Sequence, residues 1–354
     1  MNALNFEPLT ELASSQDVSS FRRSHSGALT DNINLWVFAV ISLGVAVTAA
    51  VIYVKTGAYD FTIALIVVAV ILAILTISQF ASQRIQWRRW FRLNRFATAN
   101  DLAFEINPAV PAYPGMIFQI GNARVLAERV SRLDDPFLDI GQYKYTTGSG
   151  KNKTTHRWTY LAVHLDRHLP QIVLDSRENN FLTSNLPVKF SHTQELELEG
   201  DFNKFFRLYC PNGYETDALY LLTPDLMKKL IDKSGNFDVE IVDNWMFFYS
   251  TGFLDLSVES VLSHIFDVAR SVGRSMISKS ERYADSRVDS QIVANTKPAQ
   301  LDSEETIGSI SQGVAGTRLA SDVVGSGGRR LKTATPWAGL GIVVAIVVAW
   351  FFLR

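Results

Sequence analysis

Two histidines stand at a spacing that can hold a metal ion. His164 and His168 lie four residues apart in the run HLDRH, with Asp166 between them. On a helix this spacing places two imidazoles side by side, as zinc sites require. The flanking residues alternate as in a strand and Pro170 follows, so the two rings should diverge. We therefore expect no metal site, and we interpret these histidines as surface or cross-strand side chains.

A single cysteine limits the remaining chemistry. Cys210 precedes Pro211 at the end of a predicted strand, and a catalytic thiol would need a base and an electropositive setting. One cysteine excludes an intramolecular disulfide and any site with several cysteine ligands. The run GSGKNK at Gly148–Lys153 lacks the spacing of a phosphate-binding loop and predicts a hairpin tip. We expect no catalytic residue, no metal ligand and no cofactor.

The hydrophobic residues are concentrated in three blocks. Leu35–Val54 and Phe61–Phe80 each hold twenty residues without a charge, and Trp337–Leu353 holds seventeen. A helix that crosses a bilayer needs about 20 apolar residues, with a range of roughly 17–25. The predicted segments are a transmembrane hairpin over 33–82, with helices at about 34–54 and 60–81, and a C-terminal transmembrane helix over 336–353.

The basic residues near these blocks follow one pattern. They lie before the first block, after the second and before the third: Arg22, Arg23, Arg84, Arg88, Arg89, Arg92, Arg95, Arg329, Arg330 and Lys332. The connection KTGAYD between the first two blocks has one lysine and one aspartate. Lysine and arginine are in excess on the cytoplasmic side of membrane proteins. We predict a multi-pass protein of the plasma membrane, with the N-terminus and main domain cytoplasmic and the C-terminus external.

The segment after the second block combines arginine with tryptophan. Residues 83–97 predict a juxtamembrane helix that continues the second span, and its candidate interface residues are Arg84, Trp87, Arg88, Arg89, Trp90, Arg92 and Arg95. Such residues suit anionic headgroups and the aromatic belt at a membrane surface. We interpret the segment as a topology signal and anchor, and recognition of a specific anionic lipid is the alternative. The formal net charge of −1 argues against nucleic acid as a partner.

Residues 98–282 predict one cytoplasmic α+β domain. Phe137–Thr147 and His156–Leu165 are rich in aromatic and β-branched residues and predict a long hairpin around the glycine-rich tip. Asp243–Asn244 stands between two apolar runs and indicates a two-residue turn. Apolar residues at helical spacing from Ser257 to Ser278 predict a helix. The fold class is therefore α+β: an antiparallel sheet with C-terminal helices, joined to the transmembrane hairpin and the C-terminal transmembrane helix.

Two segments lack the pattern of a packed element. Residues 1–32 precede the first apolar block and predict a disordered N-terminal segment. Residues 283–335 are rich in serine, threonine, glycine, alanine and valine, and they have no aromatic residue after Tyr283. This composition is typical of a flexible linker. The main domain would then be tethered to the membrane at both ends.

Three stretches of the domain carry a resemblance to known proteins. They are GQYKYTTGSGKNKTTHRWTYLAVHLDRHLPQIVLDS, GDFNKFFRLYCPNGYETDALYLLTPDLMKKLID and FDVEIVDNWMFFYS. They resemble parts of actinobacterial membrane proteins of unknown function. The second is also similar to a bacterial family with paired N-terminal transmembrane helices, a cytoplasmic α+β domain and an LTP-type helix start, here Leu222–Pro224. The resemblance covers Phe137–Ser250, implies a bacterial membrane protein, and brings no activity and no catalytic residues.

These patterns lead to two hypotheses about function. The first is a membrane-tethered binding or scaffold module that contacts anionic headgroups of the bilayer and a protein partner whose identity the sequence does not reveal. The second is an enzyme that works at the membrane surface with an unrecognised active site. A pocket with convergent titratable side chains would favour the enzyme, whereas a flat apolar patch would favour the binding module.

Overall fold

The structure is a computed structural model of the chain. It describes residues 4–25, 32–56, 59–132, 137–180, 184–198, 200–284 and 329–333. The chain divides into two compact units: the first consists of Met1–Ala109, Ala127–Ser131 and Asp255–Ser263, and the second of Val110–Leu126, Arg132–Leu254 and His264–Arg354. The transmembrane helix predicted over 336–353 lies outside the described residues, as does most of the predicted linker.

Helices dominate the first unit. Its elements include α1 (Glu7–Thr10), α2 (Ser15–Ser24), α3 (Asn32–Thr56), α4 (Tyr59–Ala99) and the short strand β1 (Ala103–Glu105). Within the described residues one helix, Ile63–Ala99, is long and apolar enough to cross a membrane, and Ala39–Lys55 is a shorter apolar helix. The two helices pack together, and the Ser42 hydroxyl donates a hydrogen bond to the Ala69 carbonyl at 3.2 Å.

The N-terminal segment is helical and packed. Ser14 caps α2, because its hydroxyl accepts a hydrogen bond from the Gln16 amide at 3.2 Å. Val18 and Phe21 are three residues apart on one face of α2, and both are buried against aromatic residues of α4. The prediction that residues 1–32 are disordered is therefore wrong for residues 4–25. The reason is that a short amphipathic helix can bury its apolar pair on a helix that follows much later in the chain.

Among the described residues, seven strands form one antiparallel sheet. The strands that follow β1 are β2 (Asn122–Arg132), β3 (Leu138–Thr147), β4 (Thr154–Ser176), β5 (Glu195–Leu196), β6 (Phe206–Tyr209) and β7 (Asp238–Thr251). Their order is β1-β2-β3-β4-β6-β5, and β7 pairs with β4. The predicted hairpin is confirmed, since β3 pairs with β4 from Leu138↔Val163 to Thr147↔Thr154. The combination of an antiparallel sheet with helices agrees with the predicted class.

The predicted turn at Asp243–Asn244 is a bulge within a continuous strand. Strand β7 pairs with β4 on both sides of Asp243, through His164↔Trp245 and Ile172↔Ile241. Asp243 has a φ of 52° and lies opposite Leu169, where the register of β4 shifts. The short polar side chain tolerates this left-handed conformation, so the same residue type that forms turns also forms bulges. The turn prediction is wrong because both apolar runs find the same partner strand.

The remaining helices lie between the last strands and after β7. They are α5 (Phe202–Phe205), α6 (Glu215–Leu221), α7 (Pro224–Ser234), α8 (Glu259–Val268), a π-helical turn (Ala269–Gly273) and α9 (Arg274–Ser280). Helix α7 begins at Pro224 after Thr223, as expected of a proline in the first turn. The helix predicted over Ser257–Ser278 is present as α8, the π turn and α9 in succession.

A short segment of the predicted linker is bound to the sheet. The Gln171 amide donates to the Arg329 carbonyl at 2.9 Å, and the Leu331 amide donates to Oε1 of Gln171 at 3.0 Å. Leu331 is buried, and Thr333 forms a bridge with Phe190. The prediction of a flexible linker over 283–335 is therefore wrong for residues 329–333, because backbone hydrogen bonds and one buried leucine fix this segment.

The interior of the second unit contains a carboxylate among aromatic side chains. Glu240 is buried and accepts hydrogen bonds from the Met116 amide at 2.7 Å, the Tyr249 hydroxyl at 2.8 Å and the Gln171 amide group at 2.7 Å. Burial raises the pKa of Glu240, although these hydrogen bonds and the charge of Arg330 act in the opposite direction. The Gln171 side chain also accepts a hydrogen bond from the Leu331 amide. Glu240 therefore helps to orient the side chain that binds segment 329–333.

Candidate anionic-headgroup groove

Helix α4 joins the apolar block to the basic and aromatic segment without a break. It runs from Tyr59 to Ala99, so residues 83–97 are helical and continuous with the apolar block, and the membrane span itself stays a prediction. Twenty residues of α-helix span about 30 Å, the thickness of a hydrocarbon core. If Phe61–Phe80 crosses the membrane, the residues directly after Phe80 lie at the level of the lipid headgroups.

The two tryptophans of this segment are buried inside the first unit. Trp87 and Trp90 pack edge to face with ring centroids 5.1 Å apart, and Phe21 of α2 lies 6.2 Å from the Trp87 ring. Trp87 is 4% exposed and Trp90 is 6% exposed. Both rings therefore lie mainly among protein groups, and their contact with the membrane interface stays a prediction. Part of the Trp87 side chain lines a groove, described below.

Three of the predicted interface arginines bind protein groups. Arg89 donates to Asp255 at 2.9 Å, and its guanidinium is 3.7 Å from Glu128. Arg95 forms a salt bridge with Glu11 in the loop after α1. In addition, Arg92 donates to the Leu9 carbonyl of α1 at 3.3 Å. These three arginines connect elements of the first unit. Their spacing along α4 does not by itself predict these contacts.

The Arg89 contact also affects its acidic partner. Burial by itself would raise the pKa of Asp255, but hydrogen bonds from Ser257 and the charge of Arg89 outweigh it. The pKa of Asp255 therefore lies below its usual value. The Ser257 hydroxyl donates to Oδ1 of Asp255 at 2.6 Å, so the carboxylate is held in place for Arg89.

Arg84 and Arg88 have a different environment. Both are exposed, and neither forms a salt bridge with another residue in the part of the chain that the structure describes. They line a groove of about 290 Å³ between α4 and α2, together with Phe80, Gln83, Trp87, Ser15, Val18, Ser19 and Arg22. The Arg22 guanidinium lies 5.9 Å from the centroid of the Trp87 ring. Three arginines thus surround one groove directly beyond the apolar block.

The groove also contains hydrogen-bond donors suited to an anion. The indole N–H of Trp87 is buried and has no acceptor among the described residues. The indole N–H of Trp90, which does not line the groove, likewise has no acceptor among the described residues. The Ser15 hydroxyl and the guanidinium forks of the arginines are further donors, whereas the Ser19 hydroxyl donates to the Gln16 carbonyl at 2.8 Å. Arginine binds phosphate through paired, charge-assisted hydrogen bonds.

The α2 residues of the groove were missed by the sequence interpretation. Ser15, Ser19 and Arg22 belong to the segment that was predicted to be disordered. A signal was present, since Ser14 is a favoured helix cap and Val18 and Phe21 have helical spacing. Ten residues are too few to fix a helix in isolation, so the packing partner on α4 is needed to form it.

The histidines and the cysteine that the sequence analysis considered do not come together in one site within the described residues. His164 is 2.8 Å from the Asn244 amide nitrogen and packs its ring 5.0 Å from Trp245. Burial, with Glu215 and Asp217 nearby, raises the pKa of the Cys210 thiol to about 11. Within the described residues, no group of three histidine, cysteine, aspartate or glutamate side chains is arranged to hold a metal ion.

Comparisons with known proteins give one likeness to report. No protein-family model and no curated protein matches the sequence. The crystal structure of the mycobacterial trehalose monomycolate transport factor A, TtfA, is similar with a TM-score of 0.38 and 9% sequence identity, over 53% of this chain and 94% of that chain. A likeness at this level assigns neither a fold nor a function, and the chain is placed in no family.

Proposed function

We propose that the chain is a multi-pass protein of the bacterial cell membrane in which α3 and α4 cross as a hairpin. The packing of α2 on α4 beyond the apolar block supports this, because the two ends of a hairpin lie on the same side of the membrane. The arginines at both ends favour the cytoplasm for that side. The apolar block Trp337–Leu353 would form a third span, which leaves the C-terminus outside.

The groove between α2 and α4 then binds the phosphate of an anionic lipid. The single observation that carries this proposal is the convergence of Arg22, Arg84 and Arg88 around one groove, which the Trp87 side chain also lines. A juxtamembrane cluster of arginines attracts anionic lipids, with about 1 kcal/mol for each residue near the surface.

The sheet domain serves as a binding or scaffold module with a protein partner. The docked segment 329–333 supports attachment at both ends, because it fixes the chain to the domain just before the predicted third span. Leu219 and Tyr220 of α6 are exposed apolar residues that suit a protein contact. The alternative, a membrane-surface enzyme, would need a site in the polar cavity beside Asp175.

Lipid binding is tested by native mass spectrometry of the full-length protein in nanodiscs of phosphatidylcholine with 30 mol % phosphatidylglycerol. We expect the wild-type protein to retain phosphatidylglycerol, and the variant Arg84→Gln/Arg88→Gln to retain about five- to tenfold less. Arg23→Gln is the control, because this exposed arginine lies on α2 but does not line the groove. An equal loss in the control would show nonspecific attraction and contradict a defined lipid site.

The topology is tested separately by cysteine labelling. Cys210 is the single cysteine and is buried, so Cys210→Ala provides a background without thiols. On this background, we expect Lys151→Cys to react with a membrane-impermeant maleimide only after the cells are broken. Arg354→Cys should react in intact cells. The reverse pattern would place the domain outside and contradict the proposed orientation.

A further inference from the structure

A polar cavity of about 480 Å³ lies in the second unit, beside the end of β4. It shares no lining residue with the groove between α2 and α4. Ligand pockets of proteins usually have volumes of about 300–1,000 Å³. The side chains that line this cavity fall into three kinds, which together describe the chemistry of an occupant.

The first kind is a buried acid with its partners. Asp175 lines the cavity but is only 1% exposed, and the Asn180 amide donates to its Oδ1 at 3.0 Å. Burial raises the pKa of Asp175, while Asn180, Ser184 and the charge of Arg207 act in the opposite direction. Asn180 itself accepts a hydrogen bond from the Asn185 amide at 2.8 Å. These fixed polar groups are suited to recognise hydroxyl groups of a ligand.

The second kind is cationic. Arg207 of β6 is directly opposite Asp175 in the register of β4, and its Nε is 3.2 Å from Glu195. Arg177 and Lys189 are exposed and form no salt bridge with any other described residue. One acid and three cations therefore line the cavity, which favours a ligand with an anionic group. Arginine and lysine beside each other are typical of phosphate sites.

The third kind is aromatic. The rings of Phe190 and Tyr209 have centroids 5.2 Å apart at an angle of 45°, and both line the cavity. Tyr209 is buried in strand β6, whereas Phe190 is half-buried and forms a bridge with Thr333. Such a pair offers aromatic faces and edges against which a ring of the ligand can pack.

We propose that this cavity binds a small soluble organic phosphate of about the size of a nucleoside monophosphate. The phosphate lies among Arg177, Lys189 and Arg207, and the ring rests on Phe190 and Tyr209. The hydroxyl groups of the ligand face the polar groups around Asp175. The three kinds of side chain thus each take one part of the ligand.

Isothermal titration calorimetry on the purified full-length protein tests this proposal with three probes: AMP, glycerol 3-phosphate and adenosine. We expect AMP to bind with a Kd below 1 mM. Glycerol 3-phosphate lacks a ring and should bind at least about tenfold more weakly, and adenosine lacks the phosphate and should show no saturable binding. Equal or tighter binding of glycerol 3-phosphate would overturn the role of the aromatic pair and point to a lipid headgroup. Binding of adenosine equal to that of AMP would overturn the role of the cations.

Variants show whether this cavity is the place of binding. Lys189→Gln and Arg177→Gln should each weaken AMP binding about five- to tenfold, and both residues are exposed, so the fold is retained. Arg207→Gln should have a larger effect, but its contact with Glu195 makes it the less clean variant. Arg282→Gln is the matched control, since this exposed arginine lies in the same unit outside the cavity. No AMP binding, or an equal loss in the control, would overturn the proposal.

Discussion

Arg330 forms a salt bridge with Asp243 at a distance of 2.7 Å, and both side chains are largely buried. Asp243 is the bulge residue of β7, and Arg330 belongs to the segment that precedes the predicted third span. Arg330 also lies 3.5 Å from the Pro114 carbonyl. The ion pair therefore attaches a distant part of the chain to an irregular position in the sheet.

Loss of this ion pair should release the bound segment. We expect Arg330→Ala to increase the hydrogen exchange rate of the Leu331 amide about fivefold, because a partly buried pair contributes about 1 kcal/mol. Mass-spectrometric hydrogen exchange on the full-length protein measures this. Lys332→Ala is the control, since Lys332 is exposed in the same segment. If both variants exchange alike, the salt bridge does not hold the segment.

Removal of the Phe21 ring should undock α2 from α4. Phe21 is buried against Trp87 and Trp90, so Phe21→Ala should cost about 2–4 kcal/mol of local stability. Limited trypsin digestion at Arg22 and Arg23 should become at least about tenfold faster. Leu12 is 99% exposed, and Leu12→Ala should leave the rate unchanged. A wild-type cleavage rate in Phe21→Ala would show that this cluster does not order the N-terminus.

Asp238 should make the protein less stable as the pH rises. Burial raises the pKa of Asp238 to about 7 from 3.8, and one of its oxygens has no hydrogen-bond partner among the described residues. Between these values the unfolded chain is ionised and the folded chain stays protonated, so the free energy of unfolding falls with pH. The slope from this group is at most about 1.4 kcal/mol per pH unit. Above pH 7 the penalty is constant.

The variant Asp238→Asn should remove this penalty. Asparagine can still accept the hydrogen bond that the Ser176 amide makes at 2.9 Å. We expect equal thermal stability of variant and wild type below pH 3.8, where Asp238 is protonated in both states, and a higher melting temperature of the variant at pH 8. Asp255→Asn should behave oppositely, because its lowered pKa gives stability above pH 3.8 that is lost as the pH falls through the folded pKa. A wild-type melting temperature at pH 8 in Asp238→Asn would contradict the buried charge penalty.

The thiol of Cys210 should be inert in the folded protein. Its pKa of about 11 leaves about one thiol in a thousand ionised at pH 8, and the side chain is buried. We expect its reaction with Ellman's reagent to be at least about a hundredfold slower than that of free cysteine. Addition of denaturant should restore the normal rate. Fast reaction without denaturant would instead indicate an activated thiol.

Some features of the fold follow from the local sequence pattern, whereas others follow only from tertiary contacts. Leu138–Thr147 and Thr154–Ser176 are strands because aromatic and β-branched residues flank a glycine-rich tip, so this hairpin was predictable. Asp243 was misread, since a short polar residue suits a turn and a bulge alike and only the partner strand distinguishes them. Arg84 and Arg89 are both arginines of one helix, yet only Arg89 meets a carboxylate, which follows more than 160 residues later at Asp255.

The sequence by itself determined the apolar blocks, the basic segment after the second block and the antiparallel hairpin. These depend on composition and on periods of two and 3.6 residues, which are properties of neighbouring residues. The tertiary structure decided that residues 4–25 are folded, that segment 329–333 is bound to the sheet, and where the two cavities lie. Each of these depends on contacts between residues far apart in the chain, and such contacts leave no local pattern in the sequence.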